Sequence, residues 1–534
     1  LWGVHASLLL VNGRIITQAG RGASALAAVG DRIVAVGEDH ELLPLRGART
    51  QALDLRGRTV VPGFTDSHLH LASLATRLAT IDLHHARSLV EAQRRVAARA
   101  ATAPPGQWLI GGGFDKNRWG DRFPTRHDLD AVAPDHRVAL SSHDGHTMWL
   151  NSAALRESGL TRRTRCPANG VIFRDPQGRP TGILQEAAIG LLDECASFQA
   201  ARRPGRADLA RATRYLVRLG VTSVHAMDGL DTFSDLQGLR AQGRLGPRVT
   251  LYAPCAETET LAAARLRSGF GDEWLRLGGV KVMCDGALGS QTAWLCEPYQ
   301  NCEAVLGAAA DGYRGVPVTC GEELRQVVRR AAEAGLACAV HAIGDCANAD
   351  VLDAFAAASR LATPLPHRVE HAQLLRPADL PRFAQQGVIA SMQPVHLLAD
   401  VPLAERYWGT RGRWAYACHS LARRRAVLAF GSDAPIETPD PLAGLRAAVF
   451  REARGAAPGE GWYPEERLTL AAALHAYTVG PARATGEAAL KGRLAPGYLA
   501  DAVVLSNDPR TARGLRAARV DVVVVGAKLE YHRA

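Results

Sequence analysis

Short apolar runs alternate with alanine-rich helical segments through the middle of this chain. That alternation restricts the fold more than any other feature. Candidate strands lie at 59–65, 137–142, 221–226, 279–284, 337–341, 367–371, 388–392 and 427–431. Helical stretches fall between many of them. Gly321 to Gly335 sets Leu324, Val327, Val328 and Ala331 on one face and closes on a glycine stop. Asp440-Pro441 opens a second helix, with Pro441 suited to the first helical position. A third covers 469–479, with Leu470, Ala473, Leu474 and Tyr477 in phase. Strands alternating with helices in this number predict an α/β protein built as a (β/α)₈ barrel. One interval is too long. Between His70 and the run at 221 lie roughly 150 residues, against a crossover minimum of ~10–12. An inserted subdomain is therefore expected within about 72–220, and residues 107–112 compete with 137–142 for the second barrel position.

The two ends differ from the middle. Residues 7–16 and 32–37 are β-rich with Asn-Gly and Gly-Asp turns, and 500–506 and 518–531 repeat that style. The expected architecture is a small β-sandwich of residues 1–58 plus 490–534, with the barrel at 59–489. At 534 residues, 47% hydrophobic and 22% charged, the chain has enough apolar material for a large core. No apolar run approaches ~20 residues, so no membrane span is expected. Leu1 to Leu10 shows no basic leader and no cleavage site, so no secretory signal is expected. Ten scattered cysteines without a C-x-x-C pair read as reduced thiols in a cytoplasmic protein. The net charge of +10 is spread, with one run at Arg423–Arg425 and no aromatic-interleaved basic stripe. It reads as a solvated surface, not a nucleic-acid groove. The expected partners are a small-molecule substrate and a second copy of the chain.

His68 and His70 stand one residue apart where the first apolar run ends. Side chains i and i+2 of a strand share a face, so two imidazoles can aim at one metal ion. Barrel chemistry gathers at the C-terminal ends of strands. Lys281 in the fourth candidate strand, His341 in the fifth, His371 in the sixth and Asp433 just after the eighth occupy such ends. Each has a structural alternative: His341 bonded to Asp345, His371 paired with Glu370, Asp433 capping the turn before Pro435, Lys281 paired with Asp285. Six groups of ligand or base type on five strands argue for a site. Zinc or a similar Lewis acid makes hydroxide from bound water near neutral pH. The hydroxide attacks a polarised carbonyl carbon, and Asp433 passes the proton to the leaving nitrogen.

The segments VVPGFTDSHLHL (60–71), VKVMCDGALGSQTA (280–293), VHAIGDCAN (340–348), RVEHAQL (368–374), AFGSDAPIE (429–437) and GRLAPGYLADAVVL (492–505) together resemble the amidohydrolase superfamily of metal-dependent hydrolases. HDGHTMWLNSAAL (143–155) resembles its "amidohydrolase 3" branch, which includes N-substituted formamide deformylases. The resemblance implies a barrel with a β-sandwich from both termini. It implies that His68, His70 and Asp433 hold one metal and His341 and His371 a second. Lys281, converted by carbon dioxide to a carbamate, would bridge them. It places His143, Asp144 and His146 at the substrate or on a steadying loop, and makes Gln393 and His396 further pocket candidates. Trp149 reads as packing, and Arg451 as a substrate-anion clamp or a surface ion pair. Gln291 and Cys346 stand where the branch commonly has arginine, which removes two anion clamps. Cys346 is read as a soft metal neighbour or a buried thiol. The function expected is hydrolysis of a non-peptide carbon–nitrogen bond, an amide or formamide. Hydrolysis of cyclic amides or esters, and a non-catalytic binding or regulatory role, are the alternatives.

Overall fold

The computed structural model describes residues 5–20, 22–84, 86–119, 123–142, 147–167, 170–289, 291–301 and 312–533. Eight strands form one parallel sheet in sequence order: β1 (Phe64–Leu69), β2 (Val221–Met227), β3 (Arg248–Pro254), β4 (Leu275–Met283), β5 (Ala337–Ala342), β6 (Arg368–His371), β7 (Ile389–Met392) and β8 (Val427–Phe430). Backbone bonds from the loop after β8 close the sheet onto β1. Asp433 N–H donates to His68 O at 2.6 Å, and His70 N–H donates to Ala434 O at 2.8 Å. Gly431 allows this approach, because a Cβ there would lie 2.5 Å from His68 N.

Two sequence expectations need correction. Residues 137–142 are a strand, but of a separate sheet, as are 107–112 over Trp108–Phe114. The barrel strand overlooked is β3, residues Arg248–Pro254. Its polar residues Arg248 and Thr250 are buried, so the run reads as mixed in sequence although it is interior in space. Arg248 is buried because Asp501 meets it, with Nε to Oδ2 at 2.7 Å and NH2 to Oδ1 at 3.0 Å.

The run at 59–65 is two strands. Thr59–Pro62 belongs to a five-stranded sheet and Phe64–Leu69 to the barrel, with Gly63 alone between them. A Cβ on Gly63 would fall 2.1 Å from Thr222 Oγ1. The five-stranded sheet orders Arg14–Ile15, Thr59–Pro62, Ala502–Leu505, Val520–Val525 and Lys528–His532, so it draws on both ends of the chain. A four-stranded sheet of Leu8–Val11, Ala25–Val29, Arg32–Gly37 and Gln51–Asp54 shares a core with it. Leu8, Leu10 and Leu26 meet Val60, Val504 and Val522 there, while Leu9 and Val11 pack in a second cluster with Leu42. Strand Leu8–Val11 is thus apolar on both faces and reads as a continuous run.

Ala72–Arg211 forms a compact unit of its own. It holds a six-stranded mixed sheet in the order Gly170–Arg174, Pro180–Glu186, Thr147–Leu150, Arg137–Ser142, Trp108–Phe114, Ile81–Asp82. Trp149 is fully buried there against Phe114 and Trp119, and its Nε1–H donates to Thr125 O at 2.8 Å.

The helices at Gly321–Glu333, Pro441–Phe450 and Leu470–Tyr477 match their sequence signals. Asp440 and Thr469 cap the last two through their side chains. The cysteines depart from expectation: Cys296 and Cys346, 50 residues apart, form a disulfide with Cα atoms 4.9 Å apart. Spacing gave no hint of it, because the pair is made by the segments that follow two neighbouring strands, β4 and β5. Among the described residues no helix is long and apolar enough to cross a membrane.

His367 offers a test of the core beside β5 and β6. It stacks on Phe355 at 4.8 Å and accepts the Cys338 N–H at Nδ1. Burial pushes its pKa down to about 4. The unfolded chain therefore binds more protons than the folded one between that value and the ordinary ~6.5. This stability is complete above that window and is lost as pH falls through it. Urea unfolding is expected to show that His367→Gln loses about 2 kcal/mol less than the parent between about pH 7 and about pH 5. Equal losses would reject the assignment.

Candidate metal and catalytic site

The site begins where β1 meets the loop after β8. His68 and His70 point to the same side, with ring centroids 5.7 Å apart. Their Nε2 atoms lie 3.5 and 3.3 Å from Asp433 Oδ1. Each imidazole is oriented from behind through Nδ1: His70 donates to Met227 O at 3.1 Å, and His68 is bonded to Glu370. With Nδ1 protonated, both Nε2 lone pairs are left for the common point. His68, His70 and Asp433 each offer one ligand atom, all within 4.8 Å of one another. Asp66 supports the corner, accepting Ser432 Oγ–H at 2.5 Å and the N–H groups of Ser432 and His68. Burial pushes the Asp66 carboxyl up to about 7.

Strands β4, β5 and β6 bring three more side chains to the same end. Lys281 Nζ lies 3.4 Å from His68 Nε2. The rings of His341 and His371 are 4.4 Å apart, and His371 is 5.0 Å from His68. His341 Nε2–H donates to Gly286 O at 2.9 Å. Asp285 lies 3.5 Å from the same nitrogen, and its carboxylate accepts the N–H groups of Ile343, Gly344 and Trp294.

Three of the four structural alternatives, for Lys281, His341 and His371, fail on these contacts. Asp285 is engaged by three backbone N–H groups while Lys281 faces His68. Asp345 accepts from Cys296 N and Cys346 N and does not bond His341. Glu370 bonds His68 and Arg368, not His371.

The electrostatics suit a cation. Burial, then the neighbouring Lys281, holds His68 and His341 in the neutral form, His341 down to about 4. Burial, then His341, does the same for His371. Burial drives Lys281 down to about 8. Burial opposes ionisation of Asp433, but His70 and His68 outweigh it and keep the carboxylate well below its ordinary range. Within this cluster, Asp433 Oδ1 and His371 Nδ1 are buried and make no hydrogen bond. Buried acceptors are rarely left so, and both face the cluster, which fits a metal ion completing them.

The model of the Amidohydrolase family matches residues 51–529. This chain belongs to the amidohydrolase family. It is 34% identical to Protein LONG AFTER FAR-RED 3 of Arabidopsis thaliana, over 95% of this chain and 88% of that protein. N-substituted formamide deformylase of Arthrobacter pascens is 29% identical over 98% of both chains. An uncharacterized metal-dependent hydrolase from Pyrococcus furiosus has the same fold, with a TM-score of 0.75 and 31% identity, over 94% of this chain and all 100% of that one.

The remaining candidates sort as follows in this amidohydrolase. His396 stands at the site: its Nε2–H donates to Ser432 O at 3.1 Å, and Asp433 Oδ2 is 3.9 Å away. Gln393 is buried and its amide turns back to Ser391 O. His143, Asp144 and His146 lie outside the described residues. Arg451 is neither an anion clamp nor a surface ion pair. It is buried at the end of helix Pro441–Phe450 and donates to the carbonyls of Trp462, Tyr416 and Ala415. Gln291, buried, closes its own turn onto Leu288 O and Gly289 O. Cys346 carries no free thiol and is not a metal neighbour, being tied to Cys296. Sequence reasoning missed Glu370 as the partner of His68 and Arg368 as the partner of Glu370. Both appear in RVEHAQ, but a charged pair inside a strand gives no sign of which neighbour it serves.

Proposed function

We propose that this amidohydrolase cleaves a non-peptide carbon–nitrogen bond, an amide or a formamide, with Asp433 as general base and then general acid. The observation that supports it is the convergence of His68 and His70 on an Asp433 oxygen that is buried and unbonded. In this reading His68, His70 and Asp433 hold one divalent ion, zinc, and His341 and His371 a second. A divalent ion here supplies Lewis acidity to a carbonyl oxygen and acidifies a water molecule.

The chain's own groups do the rest. Asp433, placed by the loop bonded to β1, takes a proton at a carboxylate oxygen and returns it to the leaving nitrogen. Met227 O and Glu370 keep the two imidazoles turned with Nε2 inward. Lys281, as the neutral amine, would form a nitrogen–carbon bond to carbon dioxide with release of a proton, and the carbamate would add two carboxylate-like oxygens to the ligand set. His396 stands beside Asp433, where the substrate's polar atoms would pass. The formamide class is favoured by the likeness to N-substituted formamide deformylase across nearly the whole of both chains.

Metal analysis of purified protein is expected to find one or two zinc-like ions per chain, and His68→Ala is expected to lose metal and hydrolysis together. A panel of amides, formamides, cyclic amides and esters then reads the bond class. Full hydrolysis by metal-free protein would overturn the proposal.

A further inference from the structure

We propose that Glu370, clamped by Arg368, is the positioning residue that fixes the tautomer and aim of His68. The inference rests on the reading of His68 as a metal ligand. The side chains of Glu370, Arg368 and His68 are all fully buried. Glu370 Oε2 is bonded to His68 Nδ1. A carboxylate only accepts, so His68 carries its proton on Nδ1 and leaves Nε2 bare towards Asp433 Oδ1, 3.5 Å away, and Lys281 Nζ, 3.4 Å away. Arg368 grips the same carboxylate from the other side, with Nε on Oε1 and NH2 on Oε2. Its other contacts spread over the barrel interior: NH1 to His225 Nδ1 at 2.8 Å, NH2 to Ser391 Oγ at 2.7 Å and to Ser67 O.

One guanidinium thus joins β1, β2, β6 and β7, four of the eight barrel strands. A charge pair buried this deeply adds little net stability over an apolar pair of equal size. Its geometry serves something else, and the group it ends on is a histidine of the cluster. His70 gets the same service from a backbone carbonyl, Met227 O. His68 has no such carbonyl and takes a side chain instead, which makes Glu370 the one orienting contact of the pair that mutation can remove.

Glu370→Gln keeps the size but forces an amide NH2 to face either the Arg368 donors or His68. Facing His68, it makes Nδ1 an acceptor and puts the proton on Nε2. Expected is metal binding weakened by about 10- to 100-fold in chelator competition, with the visible spectrum of the cobalt-loaded protein shifted. Metal-free Glu370→Gln is expected to unfold at a lower temperature than metal-free parent, because buried Arg368 loses its anionic partner, so affinity is read well below that temperature, where the variant is folded. Glu370→Asp, which keeps the charge beside Arg368 and withdraws it from His68, decides the matter if the first variant does not fold, and the same weakening is expected. Parent-like affinity and cobalt spectrum in the folded variant would overturn the positioning role. A parent protein that takes up no divalent ion would instead overturn the metal reading itself.

Discussion

Asp433→Asn is expected to lower kcat by about 10²- to 10⁴-fold, the usual worth of a general base and acid. The side chain sits on the loop by which β8 is bonded back to β1, with Asp433 N–H on His68 O at 2.6 Å. Asparagine keeps that backbone contact and the side-chain volume, so the fold is expected to stand. What it loses is the negative oxygen that faces two imidazoles at 3.3 and 3.5 Å and the capacity to carry a proton. Metal content measured on the same sample separates the two losses. A variant that kept its metal but not its turnover would isolate the proton transfer. More than about one tenth of parental kcat would remove Asp433 from that role.

Asp501→Ala is expected to destabilise the folded protein by about 3–5 kcal/mol, because it leaves the Arg248 charge buried without its partner. Asp501 receives both Nε and NH2 of Arg248 and also the Gly526 N–H at 2.8 Å, and both side chains are almost wholly shielded from water. Glu273 O and the Trp274 ring, 4.5 Å away, remain to Arg248 after the change, and neither is an anion. Denaturant unfolding measures the loss. A cost below about 1 kcal/mol, the range of an exposed pair, would show that water reaches the guanidinium.

The barrel was legible because strands buried on both faces read as apolar runs, and seven of its eight strands coincide with such runs. The eighth, β3, was hidden by Arg248 and Thr250, both buried, the first against Asp501, a partner that no local pattern announces. Strand 137–142 was misplaced for the converse reason: an apolar run says that a segment is interior, not which interior. At the site, the six chemically conspicuous residues could be picked out because each ends a strand. Their supporting contacts could not. Asp66, Asp285 and Glu370 act on groups that lie up to hundreds of positions away in sequence, as Glu370 does on His68. The disulfide was invisible for the same reason, since its cysteines become neighbours only once β4 and β5 lie side by side.

A single glycine, Gly63, separates the strand that pairs with Ala502–Leu505 from the strand that carries His68. Ala502–Leu505 is therefore part of the foundation of the candidate site, although it holds none of its ligating side chains. Loss of Ala502–Leu505 would unpair one edge of Thr59–Pro62 and slacken the strand running into His68. Gene variants that remove or unpair Ala502–Leu505 should be graded with lesions of the candidate site itself.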